Sequence, residues 1–138
     1  MKRTEINDIY KWDLSSIYRI DNDWEKEYNE VSNNISKLSN FKDLMDSSER
    51  LLEFMKLDEE LSRKIEKLYT YAHMNNDADM SDSKYQAMYG KAKDLYSNYS
   101  TVISYVNPTM LKYDYSKIEE YYKEMPELKK YEKIFKEI

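Results

Sequence analysis

The chain has no cysteine, one glycine (Gly90), two prolines (Pro108 and Pro126) and one histidine (His73) in 138 residues. Without cysteine there is no disulfide framework, no thiolate metal site and no cysteine nucleophile. A lone histidine cannot supply the two-His, one-carboxylate set of a catalytic zinc. One glycine excludes a phosphate-cradling Gly-rich loop. Average usage would give about ten glycines and seven prolines, so this chain has few turns and therefore few, long elements. No apolar run approaches the roughly 18 residues of a membrane span, and the opening MKRTEINDIY lacks the apolar core of a secretion signal. Its 22 basic residues are interspersed with 27 acidic ones for a net charge of -5. Neither nucleic acid nor an anionic membrane is an expected partner, because both need concentrated positive charge. The simplest compartment is cytoplasmic.

What is present points to helix. Glu, Lys, Leu and Met, all good helix formers, fill the stretches between the few breakers. A composition of 41% hydrophobic and 36% charged residues suits a folded globule. The expected fold is all-α and single-domain over residues 1–138: an antiparallel bundle of three long helices plus shorter C-terminal helices, preceded by an aromatic N-terminal arm over residues 1–20.

Helix signals set the expected spans at about residues 22–40, 47–75, 82–106, 116–124 and 126–138. The first helix opens on Asp21 or Asn22 as a cap and buries Trp24, Tyr28, Val31, Ile35 and Leu38 at spacings of four and three. The second has Asp46 and Glu49 at capping-box spacing and a stripe of Leu51, Leu52, Met55, Leu61, Ile65, Leu68, Tyr69 and Ala72. The third carries Tyr85, Met88, Ala92, Leu95, Tyr99, Val102 and Val106, a pattern suited to antiparallel packing on the second, and Asn107-Pro108 is expected to stop it. Ser116 and Glu119 form a further capping box, and Pro126 suits the first position of the last helix. That helix, PELKKYEKIFKEI, shows no stop signal, which is expected of a domain that continues.

Candidate chemistry is sparse. His73 is expected at the negative end of the second helix, a favourable place for an imidazole without any ligand role. The polar passage MNNDADMSDS alternates Asp77, Asp79 and Ser81 like a calcium loop, but Asp82 and Met88 stand where that loop needs glycine and a bidentate glutamate. A solvated loop is expected instead. Adjacent carboxylates such as Glu59 with Glu60 and Glu119 with Glu120 point to different helix faces and carry no acid/base proposal. Gly90 falls mid-helix at a cost of about 1 kcal/mol against alanine, so either a neighbouring helix or loop approaches it closely, the favoured expectation, or the cost is simply tolerated. Of the 15 tyrosines, Tyr89, Tyr105, Tyr121 and Tyr122 lie off the stripes and suggest second faces for a body outside the chain.

The leading arm YKWDLSSIY poses the remaining question. Tyr10, Trp12 and Leu14 alternate as an extended segment would, and Asp13 could cap a turn bringing Ile17 and Tyr18 towards the first helix. Such an arm either packs on the chain's own helices or meets a second body; in the second case Tyr10, Trp12, Leu14 and Tyr18 are the candidate contacts and Trp12 is expected to be at least partly exposed.

Taken in order, YKWDLSSIY, DNDWEKEY, the run from LDEELSRK through YAHMNNDADMSDSKYQAMY to SNYS, ISYVNPTML and PELKKYEKIFKEI resemble the N-terminal region of oligoendopeptidase F. These are zinc metallopeptidases of the thimet-oligopeptidase-like family. The resemblance covers essentially the whole chain, although Met80 and Ser81 replace a threonine-containing form of the linker. It implies a larger helical enzyme that cleaves short peptides in a deep cleft, with zinc held by an HExxH helix and a downstream glutamate. None of those motif residues is present, so no catalytic, metal or cofactor role carries over. The matched region implies a lobe that walls the cleft, partnered by its own C-terminal catalytic domain and by short peptide substrates, binding no zinc and inactive alone. Surface left bare in the separate lobe is expected to favour self-association. The rival expectation is a stand-alone helical interaction module pairing through the stripes of its second and third helices.

Overall fold

Residues 17–138 are described by the computed structural model. The expected arm positions Tyr10, Trp12 and Leu14, and the expected exposure of Trp12, lie outside the described residues. Helix α1 spans Asp21–Asn34 and tightens into a 3-10 helix over Ile35–Phe41. Then come α2 (Ser48–Ala78), α3 (Ser83–Val102), α4 (Val106–Met110) and α5 (Tyr115–Glu124). A 3-10 helix over Pro126–Tyr131 leads into α6 (Glu132–Lys136). The described residues are all-α, as the composition dictates.

Helix α2, at 31 residues, is the spine. Its tethers to both neighbours run with opposite numbering. On the α1 side Trp24 meets Leu68 and Asp21 meets Tyr71. On the α3 side Tyr69 meets Tyr89 and Asp58 meets Tyr99. As one residue number rises its partner's falls, so α1, α2 and α3 are successively antiparallel. The core comes from the stripes the spacing marks: Trp24, Val31 and Leu38, then Leu51, Leu61, Ile65, Leu68 and Ala72, then Met88, Ala92 and Leu95 are all buried.

Helix ends differ from expectation in instructive ways. Ile20 is the N-cap of α1 and contributes no side-chain bond, because Asp21 turns its carboxylate to Tyr71 and Lys84 instead. At α2 the cap is Ser47, whose hydroxyl accepts from the Arg50 N–H at 3.0 Å, one residue later than the Asp46 signal. Asp114, not Ser116, precedes α5, without a side-chain cap bond. Helix α2 runs on through Met74–Ala78, so half of the supposed loop MNNDADMSDS is helical and Asn75 is wholly buried. His73 accordingly sits inside the helix, not at its end.

Pro108 does not stop α3. The chain breaks earlier, where Ile103, Ser104 and Val106 form tight turns, and Pro108 becomes the third residue of α4. A proline in a helix interior clashes with the carbonyl four residues back, here that of Ser104, and lacks an N–H. A fresh helix start places it in a first turn, where neither cost arises.

Gly90 faces open space: nothing lies within 4 Å of a Cβ built there, so the expected close approach does not exist. The off-stripe tyrosines also find partners within the chain. Tyr105 donates to the Leu38 carbonyl, Tyr121 to the Met45 carbonyl at 2.7 Å, Tyr122 pairs with Tyr115 at 2.9 Å and Tyr89 with Tyr69 at 3.1 Å. Tyr121 is buried and the others half-buried, and each ends in a satisfied hydroxyl, as the amphipathic nature of tyrosine favours.

Candidate functional site

Of the four candidate contact residues, the described structure holds Tyr18. It is 5% exposed, with its ring edge-on to Tyr71 at 5.1 Å and Lys67 Nζ 4.7 Å above it. Its hydroxyl donates to Glu27 at 2.6 Å, and burial followed by that carboxylate pushes its pKa up. Tyr18 thus clips the entry of the chain onto α1 and α2 of its own bundle.

The adjoining end of the bundle is a polar hub centred on Asp21. Tyr71 donates to its carboxylate at 2.5 Å, Lys84 Nζ lies 2.6 Å away and Tyr85 donates at 3.3 Å. Burial alone would raise this carboxyl, but the bonds from Lys84 and Tyr71, the Lys84 charge and the Tyr85 bond outweigh it and hold the pKa below the usual range. All of these partners are structural ties between α1, α2 and α3.

His73 stacks against Tyr69 and lies 3.3 Å from Asp77 through Nε2. No group of three or more His, Cys, Asp or Glu side chains with metal-holding geometry occurs among the described residues. A catalytic zinc needs three protein ligands around one point, so this donor set does not fit zinc, and no chemistry is routed through a metal here.

Several grooves lie along the N-terminal half of α2, of which two differ sharply in character. One, of about 680 Å³, runs between α2 and the Pro126–Tyr131 segment and is lined by charge. That charge is internally matched: Lys56 with Glu127 at 3.0 Å, Arg63 and Lys130 with Glu59 at 2.7 and 3.1 Å, and Lys64 with Glu60 at 3.2 Å. Tyr131 also donates to Glu59 at 2.6 Å. Burial and then this carboxylate raise Tyr131 to about 12.

The other groove, about 300 Å³, opens between α2, the α3–α4 junction and α6. Phe54, Met55, Met110 and Phe135 line it and are buried, while Ile103, Val106 and Ile138 are half-buried and Ile134 is exposed. Asp58 is the one ionisable group in its lining, and its partner is the hydroxyl of Tyr99. Burial raises the Asp58 carboxyl above its usual pKa, against the opposing pull of that hydrogen bond. Periodicity could not reveal this groove, since it depends on how α4 and α6 return to α2.

The geometry therefore offers a lobe with packed polar ties and surface grooves, and no assembled catalytic centre among the described residues. Comparison with known proteins gives it a setting. No protein-family model matches the chain. It is 38% identical over 137 residues to the group B oligopeptidase PepB of Streptococcus agalactiae, covering 99% of this chain and 23% of that protein. It is 34% identical over 137 residues to the oligopeptidase PepF of Bacillus subtilis, covering 99% of this chain and 20% of that protein. The crystal structure of oligoendopeptidase-F from Enterococcus faecium superposes with a TM-score of 0.76 at 30% identity, over 82% of this chain and 22% of that one. This chain is homologous to the N-terminal region of oligoendopeptidase F. It spans roughly a fifth to a quarter of the curated relatives it matches. The resemblance in KWDL, YAHMNNDADMSDSKYQAMY and PELKKY thus reflects common descent across nearly the whole chain.

Proposed function

We propose that this chain is the helical N-terminal lobe of a zinc-dependent oligoendopeptidase, walling the cleft in which short peptides are hydrolysed and inactive by itself. The observation that carries this reading is homology over 99% of the chain to peptidases of which it spans only 23% or less. One histidine in 138 residues leaves no HExxH motif within the sequence, so the zinc and the catalytic residues belong to the remainder of such an enzyme. The lobe's part is to narrow access, which needs rigidity and shape; the antiparallel core and its side-chain ties supply the rigidity. A cytoplasmic setting suits an enzyme of short peptides. The described helices include none long and apolar enough to cross a membrane.

The test is to assay the 138-residue polypeptide for bound zinc and for hydrolysis of a fluorogenic peptide series. No stoichiometric zinc and no turnover are expected; zinc at one equivalent together with turnover overturns the reading.

A stand-alone module pairing through the second and third stripes gains no support. Those stripes, Leu61, Ile65 and Leu68 on α2 and Met88, Ala92 and Leu95 on α3, are buried within the chain and are not free to meet a partner.

A further inference from the structure

The groove between α2, the α3–α4 junction and α6 differs in kind from the rest of the surface. On this half of α2, Lys56, Glu59, Glu60, Arg63 and Lys64 are ion-paired. Asp58 lines this groove and also an adjoining one with Glu59, Arg63 and Lys130, yet among the described residues no Lys, Arg or His lies within 4.0 Å of its carboxylate. A carboxylate in an apolar recess with one hydroxyl partner is incompletely compensated. Meanwhile Ile134, Phe135 and Ile138 recur at a helical spacing, all line the groove, and Ile134 remains 49% exposed. Related proteins carry several times more polypeptide than this chain spans.

We propose that this groove is a docking site for an amphipathic helical segment that presents apolar side chains to Ile103, Val106 and Ile134 and a Lys or Arg to Asp58. Its occupant is the stretch that follows the position of Ile138 in the longer homologues. The proposal rests on reading the chain as the lobe of a longer peptidase. The chemistry is complementary: apolar contacts exclude water, and in that drier setting a charge-assisted bond to Asp58 strengthens and fixes register.

The probe is a fluorescently labelled synthetic peptide of about 20 residues, long enough for a stable helix once docked, copied from the Streptococcus agalactiae oligopeptidase immediately after its matched region. Titrated with the 138-residue chain, it should bind saturably. Asp58→Asn, nearly isosteric, should weaken binding roughly tenfold, as expected for loss of a charge-assisted bond. The same loss should follow replacing the peptide's basic residues, with no further loss when both changes are combined. Ile103→Glu should abolish binding while the circular dichroism melt shows the variant folded. No binding, or binding that Asp58→Asn leaves unchanged, overturns the proposal. Sedimentation showing a dimer that Ile103→Glu dissociates also overturns it, by making a second copy the occupant. The zinc and turnover assay tests the lobe reading separately, so the two can fail independently.

Discussion

The two ends of α2 are held differently. Its C-terminal half, from Ile65 to Ala78, lies between α1 and α3. There Trp24 is fully buried with its indole N–H donating to the Leu68 carbonyl at 2.8 Å, its ring stacked on Tyr28 at 5.3 Å, and the Asp21 hub ties three helices together. The N-terminal half meets the end of α3 through Asp58 and Tyr99, and otherwise short pieces: the 3-10 turns, α5 and α6. Ile134 is exposed in the groove that Asp58 lines there. The other large apolar residues exposed among the described residues, Ile20, Met80, Tyr96, Leu111 and Tyr113, do not line this groove. The first end carries the most ties between helices, although His73 Nδ1 and Asn76 Oδ1 there are buried without a partner among the described residues; the other keeps a recess in which Asp58 is held by the Tyr99 hydroxyl.

The strongest way to break this comparison is to remove one anchor from each end. Trp24→Ala deletes a fully buried ring and an indole donor, and should cost about 3–5 kcal/mol, against a typical total stability of about 5–15 kcal/mol. Ile134→Ala, at the open end, should stay within about 0.5 kcal/mol, as surface substitutions do. Urea unfolding followed by circular dichroism measures both. Equal losses would mean that the open end is as tightly packed as the other.

The two aspartates sharpen the contrast through pH. Asp21 has its folded pKa lowered by Lys84, Tyr71 and Tyr85. The unfolded chain then holds the proton more tightly, so Asp21 stabilises above the unfolded carboxylate pKa and that contribution is lost as pH falls through the folded value. Asp58 is raised by burial, so the folded chain holds the proton more tightly and stability falls as pH climbs through the raised value. Asp21→Asn should cost about 1–3 kcal/mol at neutral pH, with the gap to wild type closing in acid. Asp58→Asn should be neutral to stabilising at pH 7 and lose its advantage in acid. Denaturation midpoints measured between pH 3 and pH 7 would expose a reversal of either slope.

Gly90 carries the next smaller effect. It lies within α3 with open space around its missing Cβ and no positive φ. Gly90→Ala should therefore stabilise by about 1 kcal/mol through helix propensity and reduced unfolded-state entropy. The melting temperature should rise by about 3 °C for a domain of this size. A loss on thermal unfolding would show that the position is more crowded than the geometry indicates.

What the sequence disclosed is what local chemistry determines. The stripes of α1, α2 and α3 were legible because each buried side chain lies three or four residues from the next on a continuous helix face. The break before Pro108 was less so. Periodicity continues through Val102 to Val106, and only the steric demand of proline on Ser104 reveals that the helix must restart. Asn75 looked solvated because its neighbours are polar, yet tertiary packing buries it. The second faces of Tyr105 and Tyr121 were legible as faces, but their partners, the Leu38 and Met45 carbonyls, lie 67 and 76 residues away in sequence. No local pattern could name them. Asp58 was hidden among many acidic residues, since what distinguishes it is the absence of a cation across a groove that exists only in three dimensions.

The smallest predicted effect separates a real cap from a written one. Ser47 closes the N-terminus of α2 through its hydroxyl to the Arg50 N–H, so Ser47→Ala should cost about 1 kcal/mol. Ser116 has the capping-box spacing with Glu119, but α5 starts at Tyr115 after Asp114, which places Ser116 inside the first turn where no cap bond from it is needed. Ser116→Ala should therefore change stability by less than about 0.5 kcal/mol, with a slight gain from alanine's better helix propensity. Matched thermal melts of the two variants would decide it: a Ser116→Ala loss as large as that of Ser47→Ala would mean that α5 begins two residues later in solution, with the capping box formed.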